Sequence, residues 1–186
     1  MTRTVQRHYR DPLDLVWTEV ARRVGFRVER SDGCFASVDP AGVMTLGAPE
    51  TLDADDCLAQ MIFHELCHSL VQGREGLAEV DWGLDNESAR DVPREHATLR
   101  LQAHLASQYG LRQVLAPTTD FRAFYDALPN DPWTGDPTEV ALARAALALV
   151  DEAPWGPHLR DGLVATRAIA DAVAPFTDTT ALFHRE

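Results

Sequence analysis

The sequence predicts an α+β fold: a short, mostly antiparallel sheet, a buried central helix and a mainly helical C-terminal half. Three observations predict it. Before residue 47, short β-like runs alternate with the turn residues Ser31-Asp32-Gly33 and Asp39-Pro40-Ala41-Gly42. Beyond about residue 53, apolar residues recur at helical spacing in segments separated by proline- and glycine-rich stretches. Between these halves lies one run, Asp53 to Gln72, that is apolar nearly all the way round a helix, the pattern of a helix at the centre of a fold.

Taken in order, Asp11 caps and Pro12 opens a first helix from Pro12 to Val24, in which Leu13, Val16, Trp17 and Val20 share a face and which Gly25 ends. The runs Phe26 to Glu29, Cys34 to Val38 and Val43 to Leu46 follow as strands of a small antiparallel sheet. The central helix is expected to take Thr51 or Asp53 as its cap and Gly73 as its stop. After a loop from Gly73 to Asp85, a second long helix is expected to begin near Asn86, to be interrupted at Pro93 and to run to about Tyr109, where Gly110 ends it. Helices at about Asp120 to Leu128, Thr138 to Glu152 and His158 to Val173 complete the chain, joined by the connectors PNDPWTGDP and APWGP. There is no internal repeat.

A chain of 186 residues with 45% hydrophobic content can bury a sizeable core, and a single domain over residues 1–186 is expected. Its 17 basic residues, all arginine, stand against 29 acidic ones for a net charge of −12, which argues against a nucleic-acid partner. No apolar run reaches the roughly 18–20 residues of a membrane span, and the start MTRTVQRHYRDP has no apolar signal segment. The expectation is a cytoplasmic protein with no membrane partner. Cys34, Cys57 and Cys67 are an odd number without paired spacing, so reduced thiols are expected, with Cys67 packed as a small buried hydrophobe. Nothing in the composition bears on oligomeric state.

The central helix contains His64-Glu65-Leu66-Cys67-His68. Two histidines one turn apart can point at one zinc ion, and Glu65 between them can reach a water on that ion. A buried histidine pair flanking a carboxyl group is costly without hydrogen bonds or a metal, so its burial favours a site. Catalytic zinc takes three protein ligands and leaves one position for water, so a third ligand is expected downstream. Arg74 and Val71 occupy the positions where metzincins carry a third histidine and a glycine, which excludes that branch.

The sequence resembles the gluzincin branch of the zincin metallopeptidases, in which a second helix opening with Asn-Glu brings a glutamate to the metal about twenty residues beyond the HExxH motif. Here Asn86-Glu87 stands with eighteen residues between His68 and Glu87, and the likeness spans about Val43 to Asp91. The resemblance implies a zincin-like fold, a Zn2+ cofactor held by His64, His68 and Glu87, and Glu65 as general base for hydrolysis of a peptide or protein substrate. It also implies that Asp91, one turn after Glu87, hydrogen-bonds His64. Glu95, beyond Pro93, is the competing third ligand.

Members of this branch add a tyrosine or histidine donor for the substrate oxyanion, and the candidates here are His96, His104, Tyr109, Tyr125 and His158. The strand VMTLG, just before the motif helix, is expected to offer its edge to an extended peptide. The competing reading is a zincin-like metal-binding domain that regulates or binds a partner with little peptidase activity.

Overall fold

The computed structural model describes residues 4–85, 88–117 and 119–184. The chain is α+β, with six α-helices and a three-stranded sheet among these residues. Helix α1 (Pro12–Val24) leads into β1 (Arg27–Ser31), β2 (Ala36–Val38) and β3 (Val43–Gly47). Helices α2 (Leu58–Gly76), α3 (Val92–Gln108), α4 (Arg122–Ala127), α5 (Pro137–Leu147) and α6 (His158–Val173) follow. Among the described residues no helix is long and apolar enough to cross a membrane.

Helix α1 forms where the sequence predicts it. The Asp11 side chain accepts the Leu13 N–H at 2.8 Å, and Gly25, at φ 118°, donates to the Ala21 and Arg22 carbonyls in the left-handed conformation that glycine adopts freely.

The sheet departs from the expected antiparallel arrangement. Its order is β1-β3-β2, with β1 parallel and β2 antiparallel to β3. The cause is the pair of connections. Ser31 to Phe35 carries the chain past one strand position, and the tight turn at Asp39 to Gly42 brings β3 back into the gap, so that Arg27 N–H donates to the Gly42 carbonyl at 2.8 Å. The strand placed at the centre is the one with Met44 and Leu46, both fully buried. A central strand has both edges paired, so VMTLG cannot receive a peptide; the edge beside the cleft described below is β2.

Helix α2 is the hub, packed by α1, α3 and α5. Leu58 to Leu70 are buried without interruption, and Ile62, Phe63 and Leu66 are fully enclosed. Its N-terminus lies at Cys57, later than the expected Thr51 or Asp53, because Cys57 N–H donates to the Gln60 side chain at 2.6 Å. At the other end Gly73, at φ 70°, breaks the helical geometry as expected.

The connectors deliver core residues as well as turns. Trp155, from the stretch APWGP, is fully buried and donates its indole N–H to Ser69 Oγ on α2 at 2.8 Å. Trp17 packs on Phe63 with ring centres 4.9 Å apart and donates to Thr166 Oγ1 at 2.9 Å, joining α1 to α2 and α6. All three cysteines are free, and burial pushes the thiols of Cys57 and Cys67 up, the former to about 11.

The strand junction supplies a stability test. A Cβ at Gly42 (φ 80°) would lie 2.8 Å from the Gly25 carbonyl oxygen, whereas a Cβ at Gly25 meets open space. Gly25→Ala should therefore cost only its conformational strain, about 1–2 kcal/mol, and Gly42→Ala distinctly more, in urea unfolding monitored by circular dichroism.

Candidate metal centre

Helix geometry puts His64, Glu65 and His68 on the side of α2 that faces α3 and an open cleft, all three buried. The helix opposite begins at Val92, with Pro93 in its first turn. A proline there costs no hydrogen bond and presets the helical φ, so Pro93 opens α3 where the sequence reading had it interrupt a longer helix. That start places Glu95 on the first turn of α3, directly against the histidines.

The ligand atoms converge. His64 Nε2 and His68 Nε2 are 3.0 Å apart, Glu95 Oε2 is 3.1 Å from His68 Nε2, and Glu95 Oε1 is 3.6 Å from His64 Nε2. A tetrahedral zinc site with bonds of about 2.0–2.1 Å spaces its ligand atoms by about 3.3 Å. His64, His68 and Glu95 can thus hold one metal ion, their ligand atoms all lying within 4.8 Å of one another. Glu95 Oε1 is buried and has no hydrogen-bond partner, as a ligand atom awaiting an ion would be. The expected ligand Glu87, with Asn86, lies outside the described residues.

Both imidazoles are held from behind by α3, so that Nε2 faces the site. Gln102 donates its amide N–H to the Leu115 carbonyl at 2.8 Å, which leaves its oxygen to accept from His64 Nδ1 at 2.8 Å. The Thr98 hydroxyl donates to the Arg94 carbonyl at 3.0 Å, leaving a lone pair for His68 Nδ1 at 3.3 Å. With a proton on each Nδ1, the lone pair of each Nε2 is free for a metal. Asp91, the expected partner of His64, is engaged elsewhere: it accepts the Asp85 N–H at 2.8 Å and the Arg90 guanidinium at 2.5 Å. It lies ahead of α3, whereas Gln102 is on the helix face that meets α2. Glu95, Thr98 and Gln102 fall at i, i+3 and i+7, so the three share that face.

The electrostatics agree with the geometry. Burial, reinforced by the neighbouring His68, pulls the His64 pKa down. Burial acts the same way on His68, but the Glu95 carboxylate outweighs it and the net shift is upward. Burial raises Glu95, and His68 with His64 overcomes it, holding the carboxyl down at about 2. The upward shift of His68 and the downward shift of Glu95 both come from their attraction across the site, and a divalent cation between them would compete with a proton for the same atoms.

Glu65 is buried beside the histidines, and its Oε2 accepts the Trp82 indole N–H at 2.9 Å. Trp82 stands in a 3-10 turn, Val80–Gly83, in which Asp81 (φ 47°) and Trp82 (φ 61°) both adopt left-handed backbone. The adjoining cleft has a volume of about 700 Å³ and runs past the β2 edge at Phe35 and Ser37 to Phe121 and Arg122. None of His96, His104, Tyr109, Tyr125 or His158 lines it. His96 stacks on Phe124 at 3.7 Å and contacts Glu139, His104 meets Gln108 and Trp133, and Tyr125 donates its hydroxyl to the Arg112 carbonyl. The loop at Trp133 is also turned away, its neighbours Pro132 and Thr134 giving their carbonyls to the buried Arg100 guanidinium. Arg122 is the one basic residue of the cleft lining among the described residues.

No protein-family model matches the chain, and neither does any curated protein or solved structure.

The hydrogen bonds behind the histidines give a direct test. If a metal ion is held there, Gln102→Leu should weaken its binding about 10- to 100-fold, and Thr98→Val by less because its contact is longer, in competition titration with a chelator.

Proposed function

We propose that this protein is a zinc-dependent peptidase of minimal gluzincin type, with Glu65 as general base and His64, His68 and Glu95 as metal ligands. The observation that carries this reading is the convergence of two tautomer-fixed imidazoles and one carboxylate, with a further glutamate beside them, on the wall of an open cleft. When bound, zinc acidifies a water and polarises the substrate carbonyl. Glu65 is positioned to take a proton from the attacking water and to pass it to the leaving amine. His64 and His68, locked through Nδ1, keep the ligand set rigid during that exchange.

The substrate lies along β2. In the β2–β3 ladder the Phe35 carbonyl accepts from Gly47 N–H and the Asp39 N–H donates to the Val43 carbonyl, and the register turns the N–H and C=O of the alternate residues Ala36 and Val38 outward. Asp81 Oδ1 takes the Val38 N–H at 2.8 Å, so Ala36 is the residue left to pair with an extended peptide at the cleft edge. The lining contains Asp53, Asp55, Asp56, Asp81, Asp91 and Asp120 against Arg122, a balance that favours peptides with basic side chains. The absence of a tyrosine or histidine oxyanion donor from the lining, among the described residues, favours the second reading, a metal-binding domain that recognises a partner without cutting it. For either reading the cytoplasm is the proposed location, on composition alone.

The two readings separate on hydrolysis. With a library of peptides, wild-type protein loaded with zinc should cleave, basic sequences should be preferred, and KM should rise with salt. Glu65→Gln should lose about 10²- to 10⁴-fold in rate while still binding zinc. Zinc binding by a wild-type protein that cleaves nothing would favour the partner-binding domain. For the ligand set, Glu95→Ala should weaken zinc binding by more than about 100-fold and Glu87→Ala far less; the reverse order assigns the ligand to Glu87. Chelation should lower the melting temperature of wild type and leave that of Glu95→Ala nearly unmoved.

A further inference from the structure

Glu65 is 9% exposed on a helix packed mainly among apolar residues, and a general base there works only if its orientation is fixed. The group that touches it is Trp82, through the 2.9 Å bond from indole Nε1 to Oε2. That contact depends on an unusual backbone. Asp81 (φ 47°, ψ 39°), Trp82 (φ 61°, ψ 15°) and Gly83 (φ 74°) are three left-handed residues in a row, of which only the last is a glycine. A bulky side chain adopts this conformation at a cost, and such residues persist where the surroundings impose them, most often at functional sites.

The surroundings here are specific. The Asp81 carboxylate is tied to the β2 edge through the Val38 N–H, and the Trp82 ring, 3% exposed, lies edge-on to Phe26 with centres 5.2 Å apart. Burial of a tryptophan does not call for left-handed backbone; in this turn the same residues that adopt it deliver the indole N–H to one oxygen of Glu65.

We infer that Trp82 is a positioning residue for Glu65: its indole N–H anchors Oε2 and leaves Oε1 as the oxygen that faces the reacting water. Among the described residues Oε1 takes no hydrogen bond. The same turn, through Asp81, holds the edge strand on which the substrate lies, so base and substrate share one support. The inference rests on the peptidase reading, and its test separates the two.

The test is Trp82→Phe, which keeps a buried ring against Phe26 and removes the donor. Zinc affinity and KM should stay within about twofold of wild type, while kcat should fall about 10- to 100-fold. In a Glu65→Gln background the same substitution should cause no further loss, because the group it positions is already gone. A wild-type kcat in Trp82→Phe, or an equal loss in both backgrounds, overturns the positioning role and leaves the peptidase reading intact. A wild-type protein that binds zinc and cleaves no peptide removes the peptidase reading and this role together. Should Trp82→Phe fail to fold, as judged by near-ultraviolet circular dichroism, the bond is read in the folded protein at position 65. The Trp82 indole N–H resonance should shift upfield and exchange faster in Glu65→Gln than in wild type, and an unmoved resonance overturns the inference.

Discussion

The buried polar side chains at the centre of α2, His64, Glu65, His68 and Ser69, are each met by a group from elsewhere in the chain, and the arrangement around α2 follows from that pairing. Ser69 is met by Trp155 from a proline-rich connector, Glu65 by Trp82 from a strained turn, and the two imidazoles by Gln102 and Thr98 of α3. Two of these partners come from stretches with no regular periodicity. They are drawn into the core by polar atoms as much as by apolar area.

The same logic explains why α3 is held on both sides. Toward α2 it presents Glu95, Thr98 and Gln102; away from it, the Arg100 guanidinium is buried against Glu139 at 2.8 Å and takes two further carbonyls, Pro132 and Thr134. A buried guanidinium is worth little to stability unless all its donors are satisfied, and here its forked geometry ties α3 to α5 and to the Trp133 loop at once. A helix gripped from opposite faces has little freedom to slide, which suits a candidate site whose side chains come from two helices.

Local signals were legible in the sequence and long-range ones were not. Asp11, Pro12 and Gly25 marked α1 to the residue, and the spacing of His64 and His68 marked their common face, because caps and helical periodicity are properties of neighbouring residues. Pro93 looks like an interruption in the sequence because the chemistry that breaks a helix interior also opens a helix, and only the position of the first turn distinguishes the two. Strand order was invisible because alternation reports which face is buried and says nothing of which strand lies between the others. Asp91, which the gluzincin resemblance implies as the partner of His64, gives way to Gln102, whose place on one helix face with Glu95 and Thr98 follows from their i, i+3, i+7 spacing. Trp82 carried no signal at all, since its role depends on two backbone angles that its residue type disfavours.

The start of α3 at Val92 bears on the chemistry of an ion in ways that its ligand distances do not express. Glu95 sits in the first turn, where backbone N–H groups lack intrahelical partners and the helix dipole presents its positive end. A carboxylate in that field shares its charge between the helix and the metal, and is a weaker electron donor than one in mid-helix. The two histidines, in the middle of α2, feel no such pull. An ion held by this set would draw less charge from Glu95 than from a carboxylate in mid-helix, and would be the stronger Lewis acid for it. The proline that fixes where α3 begins would thus also tune, through the backbone, how strongly such an ion polarises an oxygen bound to it.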